Sequence, residues 1–364
     1  MSDSAPLPTR RDFLKGKAAV QAAADRLDAA LGAPQFQQDS IEGTYLIQFA
    51  RRAMACQFEV YLNARQHEVG STVAIEALDL VDQLEDQLTV YRDHSEISQL
   101  NHTAADRPVA VEGRLFGLLA QAVELHRITG GAFDITAGPL SKVWGFTRRA
   151  GAVPTELDIA EALQHVGSQY LQLDVDARTV AFAQPGVSIN LGAIGKGYAL
   201  DRCAELFAAA GVGDVLLHGG NSSVLARGSH GATPGQGWAV GVRNPLRPER
   251  RLGELQIIDQ ALATSGSGSQ YFIHEGQRYG HILDPRTGWP AQGVLSTTVV
   301  APTAAMADAL STAFYVMGPQ SVEEFCREHS DIGALMVCPG DRAGSVVLRG
   351  WNLQPGQWRA IDPD

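Results

Sequence analysis

The chain has 364 residues, 45% of them hydrophobic and 19% charged, with 38 glycines, enough for one large domain or two lobes. A formal net charge of −11 argues against nucleic acid as a main partner, because no basic stripe is available to neutralise phosphates. Cys56, Cys203, Cys326 and Cys338 are widely spaced without a C-x-x-C pair, which argues against zinc and thioredoxin-like chemistry and reads as buried small hydrophobes.

Residues 1–40 read as leader and linker, and 41–364 as the folded unit. Thr9-Arg10-Arg11-Asp12-Phe13-Leu14-Lys15 has the form of a twin-arginine export signal, but Lys17, Gln21, Asp25, Arg26 and Asp28 interrupt the apolar stretch that should follow. Two readings stay open: an export leader that places the protein in the periplasm or cell envelope, and a cytoplasmic leader. An export reporter fused behind residues 1–40 separates them. No segment reaches the roughly 18 apolar residues of a membrane span.

Tyr45–Phe49 and Gln57–Leu62 have strand character. From Ser71 to Val90, Ala74, Ala77, Leu78, Val81, Leu84 and Leu88 recur at helical spacing, and a second helix over Gly113–Thr129 stops at Gly130-Gly131. After a loop over 130–156, a short helix near Asp158–His165 precedes a hairpin of Tyr170–Val175 and Thr179–Ala183. Val187–Asn190 reads as a strand running into Gly192–Gly197 and a helix to about Ala210. Strands follow at Asp214–His218, Trp238–Arg243, Gly253–Ile258 and Leu295–Ala301. A helix over Thr303–Met317 and another opening with a capping-box pattern at Ser321 and Glu324 come next. Strands Gly333–Cys338 and Ser345–Arg349 are last. Strands bunch with turns rather than alternating with helices, which favours an α+β fold over a doubly wound sheet.

Two segments concentrate chemistry. Gly280–Pro290 holds His281, Asp284, Arg286 and Thr287 among turn-forming residues, and Ala307–Thr312 holds Asp308 and Thr312 on an apolar helix. Those two lie at i and i+4, so they share one helix face. A carboxylate buried there unpaired would cost several kcal/mol, and a bound cation such as Mg²⁺ is one remedy. The alternative is an Asp near a helix start and a Thr bonded to its own helix. Asn190–Tyr198 forms a glycine-rich turn into a helix start, with Lys196 adding positive charge; it suits a phosphate, or it is a tight turn with a surface lysine. Phe133–Thr136 with Trp144-Gly145-Phe146 makes a polar and aromatic loop suited to a flat ring system. Tyr91, Asp93, Ser95, Glu96 and Asn101 form a cluster that by itself reads as a solvated turn.

In this order, the motifs resemble the ApbE family of FAD:protein FMN transferases. The matching pieces are Ala53–Cys56, Tyr91–Asn101, Gly131–Phe146, Leu191–Tyr198, Gly219-Gly220, Thr264-Ser265-Gly266, His281–Pro290 and Ala307–Gly318, spanning roughly Tyr45 to Asp341. Each is weak alone; the ordered set is specific. The resemblance implies mixed, largely antiparallel sheets with helices, in two lobes enclosing a flavin and metal cleft. It implies a Mg²⁺-dependent enzyme that moves the FMN half of FAD onto a Thr or Ser hydroxyl of an acceptor flavoprotein, releasing AMP. Acceptors in the family carry a short Ser/Thr-Gly/Ala-Ser/Thr type motif in membrane redox subunits or secreted flavoproteins.

By the same resemblance, Asp308, Thr312 and the backbone carbonyl of Ala193 hold Mg²⁺. His281 takes the acceptor hydroxyl's proton, and Lys196 sits near the phosphates. Met54, Tyr91, Ala132, Phe133, Asp134, Asn190, Ile282 and the Thr264-Ser265-Gly266 turn line the FAD site together with Lys196 and His281. The family usually has Asp where this chain has Asn190 and Asn221, and Met-Gly-Thr where it has Met54-Ala55-Cys56. An amide at 190 keeps hydrogen bonding but weakens the negative potential near the metal. Two competing readings use the same site: an FAD pyrophosphatase giving FMN and AMP, and a noncatalytic FAD-binding protein. Free FMN with AMP marks the first, and persistent intact FAD the second.

Overall fold

The computed structural model describes residues 45–361, except 149–150, 232–234, 267, 269 and 343 and the side chains of residues 65 and 67. The twin-arginine-like segment lies outside the described residues. Strands β1 (Leu46–Ala53) and β2 (Cys56–Asn63) pair antiparallel from Leu46 opposite Asn63 to Ala53 opposite Cys56. The two-residue loop between them holds Met54 at φ 49° and Ala55 at φ 59°, as a tight hairpin with right-handed twist requires. An alanine pays for that conformation in Cβ clash with its carbonyl. Ala55→Gly should therefore raise stability by about 1 kcal/mol in urea unfolding; an unchanged midpoint would show that the turn is unstrained.

The hairpin is one end of an eight-stranded sheet whose neighbours are all antiparallel, in the order β1-β2-β6-β7-β10-β13-β14-β15. Its other strands are β6 (Val215–Gly219), β7 (Ser223–Arg227), β10 (Ala261–Gly266), β13 (Ser296–Ala301), β14 (Gly333–Pro339) and β15 (Val346–Trp351). Period-two alternation divides the apolar residues between the faces. Leu217, Leu225, Ala263, Val299 and Met336 join the main core, whereas Leu216, Val224, Leu262, Val300 and Leu335 join a second cluster. Helices α1 (His67–Leu88), α6 (Gly195–Ala209) and α7 (Ala304–Glu328) supply the main core's other half. The second cluster is closed by β8 (Trp238–Asn244) and β9 (Arg247–Ile257), which form a three-stranded sheet with β16 (Trp358–Ala360).

A smaller sheet, β3-β5-β4, contains β3 (Val109–Ala110), β4 (Leu171–Asp174) and β5 (Thr179–Phe182), so the expected hairpin forms. Helices α2 (Glu96–Thr103) and α3 (Gly113–Ile128) lie between α1 and the loop at 130–137. Helices α4 (Gly138–Val143) and α5 (Glu156–Leu163) close a third cluster around the fully buried Trp144, whose Nε1–H donates to the Gly288 carbonyl at 2.8 Å. A hairpin of β11 (Tyr271–His274) and β12 (Gln277–Gly280) lays Phe272 and Tyr279 against that tryptophan. The α+β class with largely antiparallel sheets is what forms. All four cysteines are free thiols, Cys203 and Cys326 fully buried.

Several local expectations are corrected. Residues 187–190 are not a strand: Asn101 brackets Ile189 instead, its side chain donating to the Ile189 carbonyl (2.9 Å) and accepting from its N–H (2.7 Å). Thr264-Ser265-Gly266 is not a turn but the end of β10, paired with Thr298, Thr297 and Ser296. Part of the polar cluster after Tyr91 is helix α2, capped by Ser95 accepting the Ser98 N–H. The helix break near the C-terminus is made by Gly318 (φ 75°) and Pro319, before Ser321 is reached. The helix expected near Asp158–His165 starts earlier, where Thr155 and Asp158 form a reciprocal capping box.

Candidate active site

A cleft of about 560 Å³ opens where the start of α6, the middle of α7, the end of β10 and the loops at 132–138 and 281–285 meet. Its lining brings together Tyr91, Ala132, Phe133, Asp134, Asn190, Ala193, Lys196, Thr264, Ser265, Gly266, His281, Ile282, Asp308 and Thr312. These fourteen come from six separate stretches of chain. Met54 is the one expected residue outside this lining; it stays half-buried in the β1–β2 turn. Phe146, read from sequence as part of an aromatic loop, lines the cleft too, whereas Ser222, Gln270 and Thr147 in its lining were not anticipated.

Asp308 is 4% exposed, placed by the buried, apolar face of α7 that Thr303 caps. Its Oδ1 accepts from Ser223 Oγ at 2.5 Å and its Oδ2 from the Gly197 N–H at 2.8 Å. Lys196 Nζ stands 3.7 Å from Oδ2, the nearest positive charge to this carboxylate. Thr312 Oγ1 lies 3.0 Å from Ser265 Oγ and 3.4 Å from its own helix carbonyl at Asp308. Ser223 was invisible as a partner because it sits 85 residues away on β7. The only sequence signal was its position just after Gly219-Gly220.

The glycine-rich segment does not form an open nest for an anion. The Gly192 N–H goes to Asn190 Oδ1 (2.9 Å), that of Gly195 to the Leu191 carbonyl (2.7 Å), and that of Gly197 to Asp308. With those donors engaged, Lys196 is the charged group that this segment presents to the cleft. Accepting the Gly192 N–H also orients the Asn190 amide so that its NH₂ is left as a donor.

His281 Nδ1 lies 3.0 Å from the Gln270 carbonyl, which makes it the N–H donor and leaves the lone pair on Nε2. Burial, helped by Lys196 and opposed by that carbonyl, holds the imidazole below its ordinary value of 6.5. It is therefore neutral at pH 7 and able to accept a proton. The other charged residues of its loop serve the turn: Asp284 takes a two-pronged contact from the Arg286 guanidinium at 2.8 Å and also accepts the Arg286 N–H.

Asp134 lines the cleft but its carboxylate is spent on architecture. Oδ1 accepts from the Thr136 N–H, Thr136 Oγ1 and Ser168 Oγ at 2.7–2.8 Å, and Oδ2 accepts from the Ser168 N–H at 2.9 Å. His126 Nδ1 lies 3.0 Å from Oδ2. Burial pushes this carboxyl up, but the bonds from His126 and Thr136 outweigh it and hold it below 3.8; the same contact holds His126 above 6.5. With Phe133 buried in the main core as well, this loop presents mainly its backbone to the cleft. A carboxyl held low stabilises the fold above its unfolded value and loses that contribution as pH falls through the folded one. An imidazole held high stabilises below its unfolded value and loses that as pH rises through the folded one. The pair contributes fully between pH 3.8 and 6.5. The melting-temperature gap between wild type and His126→Gln should be widest there and shrink on both sides; a gap independent of pH contradicts the coupling.

An antiparallel α+β fold that gathers the buried Asp308 carboxylate, the Lys196 ammonium and the neutral His281 imidazole in a cleft has the equipment of a phosphate-handling enzyme. The chain belongs to the ApbE family, whose model matches residues 54–336. It is 32% identical over 268 residues to an FAD:protein FMN transferase of Klebsiella pneumoniae strain 342, covering 73% of this chain and 82% of that one. It is also 32% identical over 299 residues to the FAD:protein FMN transferase of Treponema pallidum strain Nichols, covering 79% and 82%. Among solved structures, the ApbE protein of Thermotoga maritima matches with a TM-score of 0.74 at 29% identity, over 83% of this chain and 96% of that one. The apo form of the flavinyl transferase ApbE of Pseudomonas stutzeri matches with a TM-score of 0.74 at 26% identity, over 85% and 96%.

Proposed function

We propose that this chain transfers the FMN half of FAD to a Ser or Thr hydroxyl of an acceptor protein, with AMP as the leaving group and Mg²⁺ held by Asp308, Thr312 and the Ala193 carbonyl. The observation that carries the reading is a neutral His281, with its Nε2 lone pair free, in the same cleft as Lys196 and Asp308. The acceptor oxygen bonds to the FMN phosphorus, the P–O bond to AMP breaks, and the hydroxyl proton passes to His281 Nε2. Lys196 supplies the positive charge for the pyrophosphate. The phenol of Tyr91, exposed at the cleft, offers a flat surface to the flavin or adenine.

Magnesium fits the donors present. They are hard oxygens with a single carboxylate, which suits an ion that keeps waters and draws on substrate phosphates. Among the described residues no three His, Cys, Asp or Glu side chains come together as a metal cage, so the remaining ligands come from hydroxyl, carbonyl, water and substrate oxygens. When bound, the ion offsets charge on the pyrophosphate and the departing AMP.

His281→Gln tests the assignment of the base. It should lower kcat by about 10²–10⁴-fold with FAD affinity kept. Because the His281 pKa lies below 6.5, wild-type kcat should hold level down to that pH and fall only below it. An unchanged kcat in the variant removes His281 from the reaction.

A further inference from the structure

Three hydroxyls meet where the end of β10 packs on α7. Ser265 Oγ lies 2.8 Å from Ser311 Oγ and 3.0 Å from Thr312 Oγ1, and Ser311 Oγ donates to the Asp308 carbonyl at 2.9 Å. Each hydroxyl has one hydrogen to give and a carbonyl can only accept, so the directions follow from the far end. The Ser311 hydrogen goes to the Asp308 carbonyl, three residues back on its own helix. Ser311 is then left to accept from Ser265, and Ser265 to accept from Thr312. The reverse order would forfeit the 2.9 Å bond and rely on the 3.4 Å contact of Thr312 with the same carbonyl. Ser265 and Thr312 line the cleft, whereas Ser311 is 1% exposed and outside that lining. The relay therefore starts at the cleft wall and ends inside α7.

We infer that Ser265 is a positioning residue for the metal site: by accepting the Thr312 hydroxyl hydrogen it leaves only oxygen lone pairs of Thr312 facing a cation in the cleft. The inference rests on the proposed Mg²⁺ site, and it adds what orients the one neutral side chain among its donors. A hydroxyl free to rotate points its hydrogen at the cation as well as away from it, and fixing it costs entropy at the moment of binding. Acceptance by Ser265 fixes it beforehand, and donation along the relay makes the Thr312 oxygen a better electron donor. Asp308 needs no such device, because an ionised carboxylate offers lone pairs alone. The pairing of Ser265 with Thr297 across β10 and β13 holds the relay's middle member in place. With its single hydrogen given to Ser311, Ser265 has none left to donate to a phosphate, so its place in the cleft wall serves Thr312 rather than FAD.

The test reads Mg²⁺ affinity by calorimetry on the full chain saturated with FAD, and FAD affinity by flavin fluorescence with the metal chelated. Ser265→Ala should weaken Mg²⁺ binding about tenfold, the loss typical of a group that orients a metal ligand. Ser311→Ala should weaken it about threefold, because Ser265 then turns its hydrogen to Thr312 and occupies a lone pair there. Its metal-free FAD affinity should equal that of wild type, since Ser311 lies outside the cleft lining. In a Thr312→Val background neither change should have any further effect on Mg²⁺ affinity, which ties both to the threonine. Wild-type Mg²⁺ affinity in Ser265→Ala and Ser311→Ala, with Thr312→Val weakened, overturns the relay and leaves the metal site standing. Wild-type affinity in Thr312→Val overturns the metal site and the relay together. A loss in Ser265→Ala confined to metal-free FAD affinity makes the residue an FAD contact, and that also overturns the inference.

Discussion

Asp308→Ala should reduce FMN transfer by about 10³-fold, the loss expected when several kcal/mol of charge stabilisation on the phosphates disappears. It is the single carboxylate among the proposed metal donors, and it is nearly inaccessible to water. The same carboxylate accepts from Gly197 and Ser223, so alanine also leaves a buried N–H and a buried hydroxyl unpaired, at about 1–3 kcal/mol of stability each. Asp308→Asn separates the two effects. It keeps the volume and an oxygen for the Gly197 N–H, and its NH₂ can donate to the Ser223 hydroxyl oxygen, but it removes the charge. If the residue serves the metal, the amide should be nearly as inactive as the alanine and show weak Mg²⁺ binding by calorimetry, while melting close to wild type. Full activity in Asp308→Asn would reduce the residue to a structural role.

Gly197→Ala should be the most destabilising small substitution near the site. A Cβ there would stand 2.0 Å from the Ala304 carbonyl oxygen, 2.3 Å from its carbon and 2.7 Å from the Ala305 nitrogen, all backbone atoms. None can swing aside as a side chain would. Those amides are also pinned, because Asp201 on α6 accepts the N–H groups of Ala304 and Ala305 at 2.7 and 2.8 Å. Helices α6 and α7 must separate to admit the methyl, which costs about 3 kcal/mol or more and pulls Asp308 off its Gly197 donor. Gly195→Ala is the control, two residues earlier. Its Cβ would meet only Leu191 Cβ at 3.9 Å, and alanine favours a helix, so stability should hold or rise. Equal melting temperatures for the two variants would mean that the helix contact tolerates more than the geometry allows.

What was legible in the sequence follows from how local each signal is. Helix α1 could be read from apolar spacing, and Asp308 and Thr312 from a carboxylate and a hydroxyl one turn apart on an otherwise apolar helix. His281 stood out because its neighbours form a turn. Strand β7, Ser223–Arg227, escaped notice because it is buried on both faces and five residues long, so no polar alternation marks it. The end of β10 is Thr-Ser-Gly, which reads as a turn until β13 pairs with it. The glycines at 192–197 suggested an anion cradle, since composition does not reveal where an N–H points. Ser223 on Asp308 and Asn101 on Ile189 join residues 85 and 88 apart, and no short pattern encodes either contact. Asp134 was expected at the flavin; its five contacts with Thr136, Ser168 and His126 are set by loops that only the fold brings together.

The most direct measurement is the intact mass of a folded acceptor domain carrying a Ser/Thr-Gly/Ala-Ser/Thr motif, incubated with this protein, FAD and Mg²⁺. The account predicts a gain of one FMN phosphoester on a hydroxyl of that motif, matched by one AMP released, and no gain with Asp308→Ala or after chelation of the metal. An unmodified acceptor with free FMN and AMP accumulating would contradict it in favour of hydrolysis, and an unmodified acceptor beside intact FAD would contradict catalysis at this cleft altogether.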